Sequence, residues 1–120
     1  MTEDFVTYEQ AELLKELGFN QLTIHHYDVE THEFSPKFSH YYTICYDNWN
    51  QYNNTISAPT LSQVQKWLRE VKEIYLFVTM EDLRYYWYIG KEFQIDNSKS
   101  YEEALSAGID RALEIIKNNI

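Results

Sequence analysis

The chain has 120 residues, 44% hydrophobic and 24% charged, which excludes disorder and fits one domain, residues 1–120. Its formal net charge is -9, with 10 basic residues against 19 acidic, so we expect no direct nucleic-acid binding. The lone cysteine, Cys45, excludes an intrachain disulfide, and the acidic start lacks a secretion signal. No apolar run approaches the roughly 20 residues that span a bilayer. We therefore expect a cytoplasmic protein with no membrane association.

Three segments carry the start signal of a helix. In each, a Ser or Thr stands three residues before a Glu or Gln, so that each side chain can bond the other residue's amide. These segments begin at Thr7, Thr60 and Ser100. The first helix is predicted over residues 8–17, because Gly18 follows where a left-handed residue commonly ends a helix. The second and third helices are predicted to start after Thr60 and Ser100.

Segments of alternating and aromatic residues between the helices predict strands. The predicted strands are 22–29, 41–46, 74–79 and 85–95, with loops over 31–39 and 48–55. Gly90 inside the last strand predicts a bulge or bend, and Gly108 inside the third helix predicts close packing. The element order is αββαββα. We therefore predict an α+β fold, in which an antiparallel sheet of about four strands carries three helices mainly on one face.

The histidines and the cysteine do not form a recognisable site in the sequence. His25 and His26 are adjacent on a predicted strand, so they face opposite sides and cannot share an ion, although His26 and Asp28 share a side. Cys45 follows no glycine-rich elbow or helix start, and we expect it to act as a small buried apolar residue. Phosphate-loop and hydrolase motifs are absent. We predict no catalytic residue, no metal site and no cofactor.

The most unusual local feature is a run of aromatic residues in the last predicted strand. Alternation places Tyr85 and Trp87 on one side, and Tyr86 and Tyr88 on the other. Three helices do not easily cover both faces of a small sheet, so one aromatic face is expected to be open. Such a face is either a contact surface or a layer of tyrosines with solvated hydroxyls. The candidate protein-contact residues are Tyr85, Tyr86, Trp87, Tyr88, Trp49 and Tyr52.

Three segments resemble a family of small proteins from Bacteroidetes bacteria and their phages and prophages. The segments are residues 5–11 (FVTYEQA), 57–70 (SAPTLSQVQKWLRE) and 101–104 (YEEA). The middle block is the most specific of the three. The family has no assigned activity, so the resemblance implies a phage-related setting and no functional residues.

These observations favour a non-enzymatic phage or prophage accessory protein that acts through protein–protein contact with an unidentified partner. A homodimer through the sheet is one such contact, because a second copy covers an open face without more chain. Two alternatives stay open. An acidic nucleic-acid mimic that blocks a DNA-binding host protein would carry regular rows of carboxylates, and a small enzyme would hold convergent polar groups in a deep pocket.

Overall fold

The computed structural model describes residues 4–36, 45–90, 92–98 and 100–119. Two compact units are present: Phe5–Pro59, the N-terminal unit, and Thr60–Ile120 with Met1–Asp4, the C-terminal unit. The predicted α+β class and three helices are confirmed. The strands form two separate three-stranded antiparallel sheets in place of one sheet of about four strands. The single-domain organisation stays a prediction.

Helix α1 of the N-terminal unit spans Tyr8–Glu16 and carries both predicted end signals. The Thr7 hydroxyl accepts from the Gln10 amide at 3.1 Å, and Gln10 Oε1 accepts from the Thr7 amide at 2.9 Å, so the capping box is complete. At the other end Gly18 has a φ of +93°, and the amide of buried Phe19 donates back into the last turn at 2.9 Å. The left-handed glycine lets the chain reverse and close the helix.

The N-terminal sheet has short strands in the order β2-β1-β3. They are β1 His26–Asp28, β2 Phe34–Ser35 and β3 Thr55–Ser57, and both pairings are antiparallel. The predicted strand 22–29 is therefore too long. In its first half, Thr23 forms an isolated bridge with Asp47, the His25 carbonyl accepts from the Ala58 amide at 2.9 Å, and Leu22 is 59% exposed.

Two further predictions for this unit differ from the structure. The predicted loop 48–55 contains a 3-10 helix, Trp49–Gln51, and the first residue of β3. The predicted return strand 41–46 falls largely outside the described residues, and its last two positions, Cys45 and Tyr46, are not in a strand. Short strands with irregular connections carry too few alternating positions to be located by pattern alone.

The C-terminal unit contains helix α2, Leu61–Val71, and helix α3, Tyr101–Asn118, both starting at the predicted caps. The hydroxyls of Thr60 and Ser100 accept from the N3 amides of their helices, each at 3.1 Å. Trp67 of α2 is 1% exposed, so its large side chain is part of the core.

The C-terminal sheet has the order β4-β5-β6, with antiparallel pairing throughout. Its strands are β4 Leu76–Glu81, β5 Arg84–Ile89 and β6 Glu92–Ser98. The single predicted strand 85–95 is wrong. Gly90 has a φ of +57° and the chain turns there, because glycine occupies the left-handed region without strain. The irregularity in the ladder lies elsewhere, between Tyr85 and Tyr86 in their pairing with β6.

A tight turn joins β4 to β5. Glu81 pairs with Arg84, and the two residues between them, Asp82 and Leu83, have φ values of +52° and +64°. Two positive φ values are typical of a type I′ hairpin, whose twist matches that of the flanking strands. Neither residue is glycine, so the turn is strained, and Leu83 is 90% exposed at its tip.

Close packing at Gly108 joins α3 to the C-terminal sheet, as the sequence predicts. A Cβ atom at this position would lie 2.5 Å from Leu76 Cδ1 and 3.2 Å from Trp87 Cβ. Leu76 and Trp87 are 4% and 3% exposed and belong to β4 and β5. The missing side chain therefore allows the helix to lie directly on the sheet.

Candidate functional site

One face of the β4–β5 hairpin is packed and the other is open. The register pairs Phe77 with Tyr88 and Thr79 with Tyr86, and residues that pair across an antiparallel ladder share a face. We call these four residues the open face. Phe77 is 46% exposed, and its ring is stacked on that of Tyr88, with centroids 5.1 Å apart and an interplanar angle of 11°. Tyr75 continues the alternation just before β4 and is 59% exposed.

The four aromatic candidates of β5 divide between the two faces as alternation predicts. Tyr86 and Tyr88 are half-buried on the open face. Trp87 faces α3 and is 3% exposed, so it is a core residue and has almost no surface for a partner. Tyr85 shares the side of Trp87 and is half-buried. Only half of the candidate run therefore belongs to the open face.

Sequence reasoning missed Phe77 and Tyr75 as members of this surface. The available signal was the alternation of residues 74–79 once that strand is paired with the next one. A two-residue turn after Glu81 fixes the register, and it places Phe77 beside Tyr88. The turn carries no glycine, which is why the register was not evident from the sequence.

Trp49 and Tyr52, the other two candidates, lie in the N-terminal unit and hold its irregular segment together. Trp49 Nε1 donates to the Thr23 carbonyl at 2.8 Å. The Tyr52 hydroxyl donates to Asp47 Oδ2 at 2.7 Å, and this bond is the main reason why the pKa of Tyr52 is raised. Tyr52 is still 41% exposed. Both polar tips have structural partners inside the unit.

A polar cluster occupies one side of the N-terminal sheet. His26 pairs with Ser35 on β2 and with Ser57 on β3, so the three side chains share a face. His26 Nδ1 and Ser57 Oγ are both buried without a hydrogen-bond partner. Burial, followed by the nearby charge of His25, holds the pKa of His26 below its ordinary value, and Asp28 partly opposes this.

This cluster does not have the geometry of a hydrolytic site. Ser57 is 0% exposed, so its hydroxyl cannot meet a substrate. The Asp28 carboxylate accepts from the amides of Thr31 and Glu30 at 2.9 and 2.8 Å, bonds that lower its pKa and engage it in a local turn. Both bonds are accepted by Oδ1, and His26 Nδ1 has no hydrogen-bond partner, so Asp28 does not orient the imidazole through this nitrogen.

The rings of His25, just before β1, and His26, its first residue, pack against different neighbours. The His25 ring stacks on Phe34, with centroids 4.7 Å apart, whereas the His26 ring packs against Trp49 at 4.1 Å. Within the described ranges, no group of three or more His, Cys, Asp or Glu could hold a metal ion. His40 lies outside the described residues.

Cys45 differs from its prediction. It is exposed and lies outside any strand, whereas a small buried apolar residue was expected. Cys45 lies outside the three short N-terminal strands, so none of them buries its thiol.

No protein-family model, curated protein or solved structure matches the chain. Among the residues that the structure describes, no helix is long and apolar enough to cross a bilayer. The candidate site therefore rests on the geometry of the chain itself.

Proposed function

We propose that this protein acts through protein–protein contact at the open face, as a non-enzymatic accessory protein of a phage or prophage. The observation that carries the contact is the stacked pair of Phe77 and Tyr88 on an uncovered side of the sheet. The phage-related setting is supported by the sequence resemblance of the three helical segments.

Phe77 distinguishes between the two interpretations of the open face, which are a contact surface and a layer of solvated tyrosines. A tyrosine ring can lie on a surface with its hydroxyl in water, which accounts for Tyr86 and Tyr88. Phe77 has no polar atom in its side chain, yet it is 46% exposed on the edge strand β4, stacked on Tyr88 of β5. Exposed aromatic side chains on a rigid sheet surface are residues that commonly anchor protein interfaces.

The two alternatives have less support from the described residues. A mimic of nucleic acid needs long rows of carboxylates, and one short row is present on α1, where Glu9, Glu12 and Glu16 are exposed at helical spacing. Along the C-terminal half of α3, Arg111 and Lys117 interrupt the acidic side chains. For an enzyme, the polar cluster at His26 contains a serine, Ser57, that solvent does not reach.

The proposal is tested by affinity capture from phage-infected host cells. Tagged wild-type protein is compared with a variant carrying Phe77→Ser and Tyr88→Ser, and with Leu22→Ser, which changes a 59% exposed residue of the other unit. Circular dichroism first confirms that all three proteins are folded. We expect one or more host or phage proteins to be captured by wild type and by Leu22→Ser. The double variant should lose at least about 90% of this capture, because aromatic anchors carry much of an interface. Equal capture by all three proteins would exclude the open face as the contact surface.

A further inference from the structure

Exposed apolar side chains of the C-terminal unit are concentrated around its edge strand, β4. Tyr75, Met80 and Leu83 are 59%, 59% and 90% exposed, in addition to Phe77. They lie just before the strand, within it and in the turn that follows. β4 is the first strand in the order β4-β5-β6, and it has no proline and no lysine, two residues with which proteins commonly block an edge. Such an edge is suited to pair with another strand.

The outward main-chain groups of β4 follow from its pairing with β5. The Tyr75 carbonyl accepts from the Gly90 amide at 3.4 Å, and bonded positions alternate along an antiparallel ladder. Val78 and Met80 therefore direct their N–H and C=O groups away from β5. The part of the chain that the structure describes supplies no hydrogen-bond partner to these groups.

We propose that β4 pairs with β4 of a second copy of this chain, antiparallel, about a two-fold axis at Thr79. Val78 then lies opposite the partner's Met80, and each such pair exchanges two N–H···O bonds. The register is selected by an existing contact. With the axis at Val78, Leu76 would lie opposite the partner's Met80, and the Leu76 carbonyl would be needed for their pairing. This carbonyl already accepts from Gln65 Nε2 at 2.8 Å, and an axis at Thr79 leaves that bond intact.

The same register makes the edge complementary to itself in apolarity and in charge. It places the exposed Leu83 near the partner's Tyr75, so that two exposed apolar side chains cover each other. The acidic turn at Glu81 and Asp82 approaches α2 of the second copy. There, Arg69 is exposed one helical turn after Gln65, the residue that contacts β4. An unrelated peptide could use the edge hydrogen bonds, but it would not supply these matched contacts.

A consequence of this symmetry concerns the open face. Because the axis is perpendicular to the sheet, the two open faces lie on the same side of a continuous six-stranded sheet. The pairing does not depend on whether the open face has a partner of its own, since it uses the main chain of β4 and not the stacked rings.

Disulfide trapping tests both the pairing and the register. In a Cys45→Ser background, Thr79→Cys places two thiols opposite each other at the axis. The two residues form a non-hydrogen-bonded pair of the ladder, whose Cα atoms are about 4.5 Å apart, and this distance is within the range of a disulfide. The matched control is Phe77→Cys, whose two copies are about 13 Å apart in this register. We expect mild oxidation to convert Thr79→Cys to a covalent dimer at least about tenfold faster than Phe77→Cys. Equal rates, or faster trapping at Phe77, would exclude the proposed register.

Mass measurement by light scattering, from micromolar to submillimolar concentration, tests the association without cysteine chemistry. We expect a concentration-dependent dimer for wild type. Thr79→Lys places two like charges opposite each other at the axis and should weaken association by at least about tenfold. Asn118→Lys makes the same charge change at an exposed position in the last turn of α3 and should leave the dimer intact. A strictly monomeric wild-type mass over the whole range would overturn the proposal, whatever the fate of the open-face partner.

Discussion

The two units use aromatic residues in different ways. In the N-terminal unit, Phe5, Tyr27 and Phe34 pack edge to face, with centroids 5.0 and 5.4 Å apart, and the Tyr27 hydroxyl donates to the Val6 carbonyl. In the C-terminal unit, Phe77 and Tyr88 stack on each other on the open face, where Phe77 is 46% exposed. Aromatic content alone therefore does not identify a contact surface. The identification needs the register and the side on which the helices pack.

The largest expected effect is a difference in stability loss between a buried and an exposed aromatic residue of the C-terminal unit. Trp67→Ala should lower the free energy of unfolding by about 3–5 kcal/mol, because the side chain is 1% exposed and its removal leaves a cavity. Phe77→Ala should cost less than about 1 kcal/mol, since Phe77 is 46% exposed. Urea denaturation of both variants measures the two values. Similar losses would mean that Phe77 is part of the core, and the contrast between the two sides would not hold.

The next effect tests how closely α3 lies on its sheet. Gly108→Ala should lower the free energy of unfolding by about 1–3 kcal/mol, because the added Cβ meets Leu76 and Trp87. Helix propensity alone predicts the opposite sign, a gain of about 1 kcal/mol. The control is Ala107→Gly at the neighbouring half-buried position, where propensity alone predicts a loss of about 1 kcal/mol. A stabilised Gly108→Ala protein would show that the helix and sheet can separate without cost.

The helix caps give a matched comparison between the units. Thr7→Ala and Thr60→Ala each remove a hydroxyl that accepts from an N3 amide at 3.1 Å. Each substitution should cost about 1 kcal/mol. Thermal denaturation of the two variants, with serine at the same positions as the conservative control, measures the effect. An unchanged midpoint for one variant would show that its helix begins without the cap.

The smallest expected effect is a pH dependence that arises in the N-terminal unit. Burial lowers the pKa of His26 from its ordinary value of 6.5, so the unfolded chain binds a proton at a higher pH than the folded chain does. The contribution of His26 to the free energy of unfolding is fully present above about pH 6.5, and it is lost as the pH drops toward the lowered pKa. His26→Gln should therefore lose less stability than wild type between about pH 7.5 and pH 5.5. Identical pH profiles for wild type and His26→Gln would contradict the effect of burial.

The sequence predicted those elements whose signals are local. All three helices begin at the predicted Thr or Ser, and Gly18 and Gly108 act as their positions suggest. The caps and Gly18 act through the residue's own backbone or within a few residues of it. Gly108 acts through distant Leu76 and Trp87, but a glycine inside a helical pattern is itself a local signal. The N-terminal strands were predicted less well, because they contain two or three residues each and depend on pairing with distant segments. A pattern with a period of two needs a longer run to be recognised.

The candidate site was predicted in part for the same reason. Alternation alone separated Tyr86 and Tyr88 from Trp87. It could not show which side α3 would cover, or that Phe77 would complete the surface. Both facts depend on the β4–β5 register, which is set by a turn at Asp82 and Leu83 that lacks the usual glycine.

The strained turn between β4 and β5 also has a consequence for how this hairpin opens. Left-handed residues with side chains cost about 1–2 kcal/mol each, so the ladder is weakest beside Asp82 and Leu83. Local opening should begin there and extend toward Leu76 and Trp87, which are held against α3. Among the β4 amides that bond to β5, hydrogen exchange should therefore be fastest at Glu81, slower at Thr79 and slowest at Phe77, so that the hairpin frays from its tip while its base stays closed.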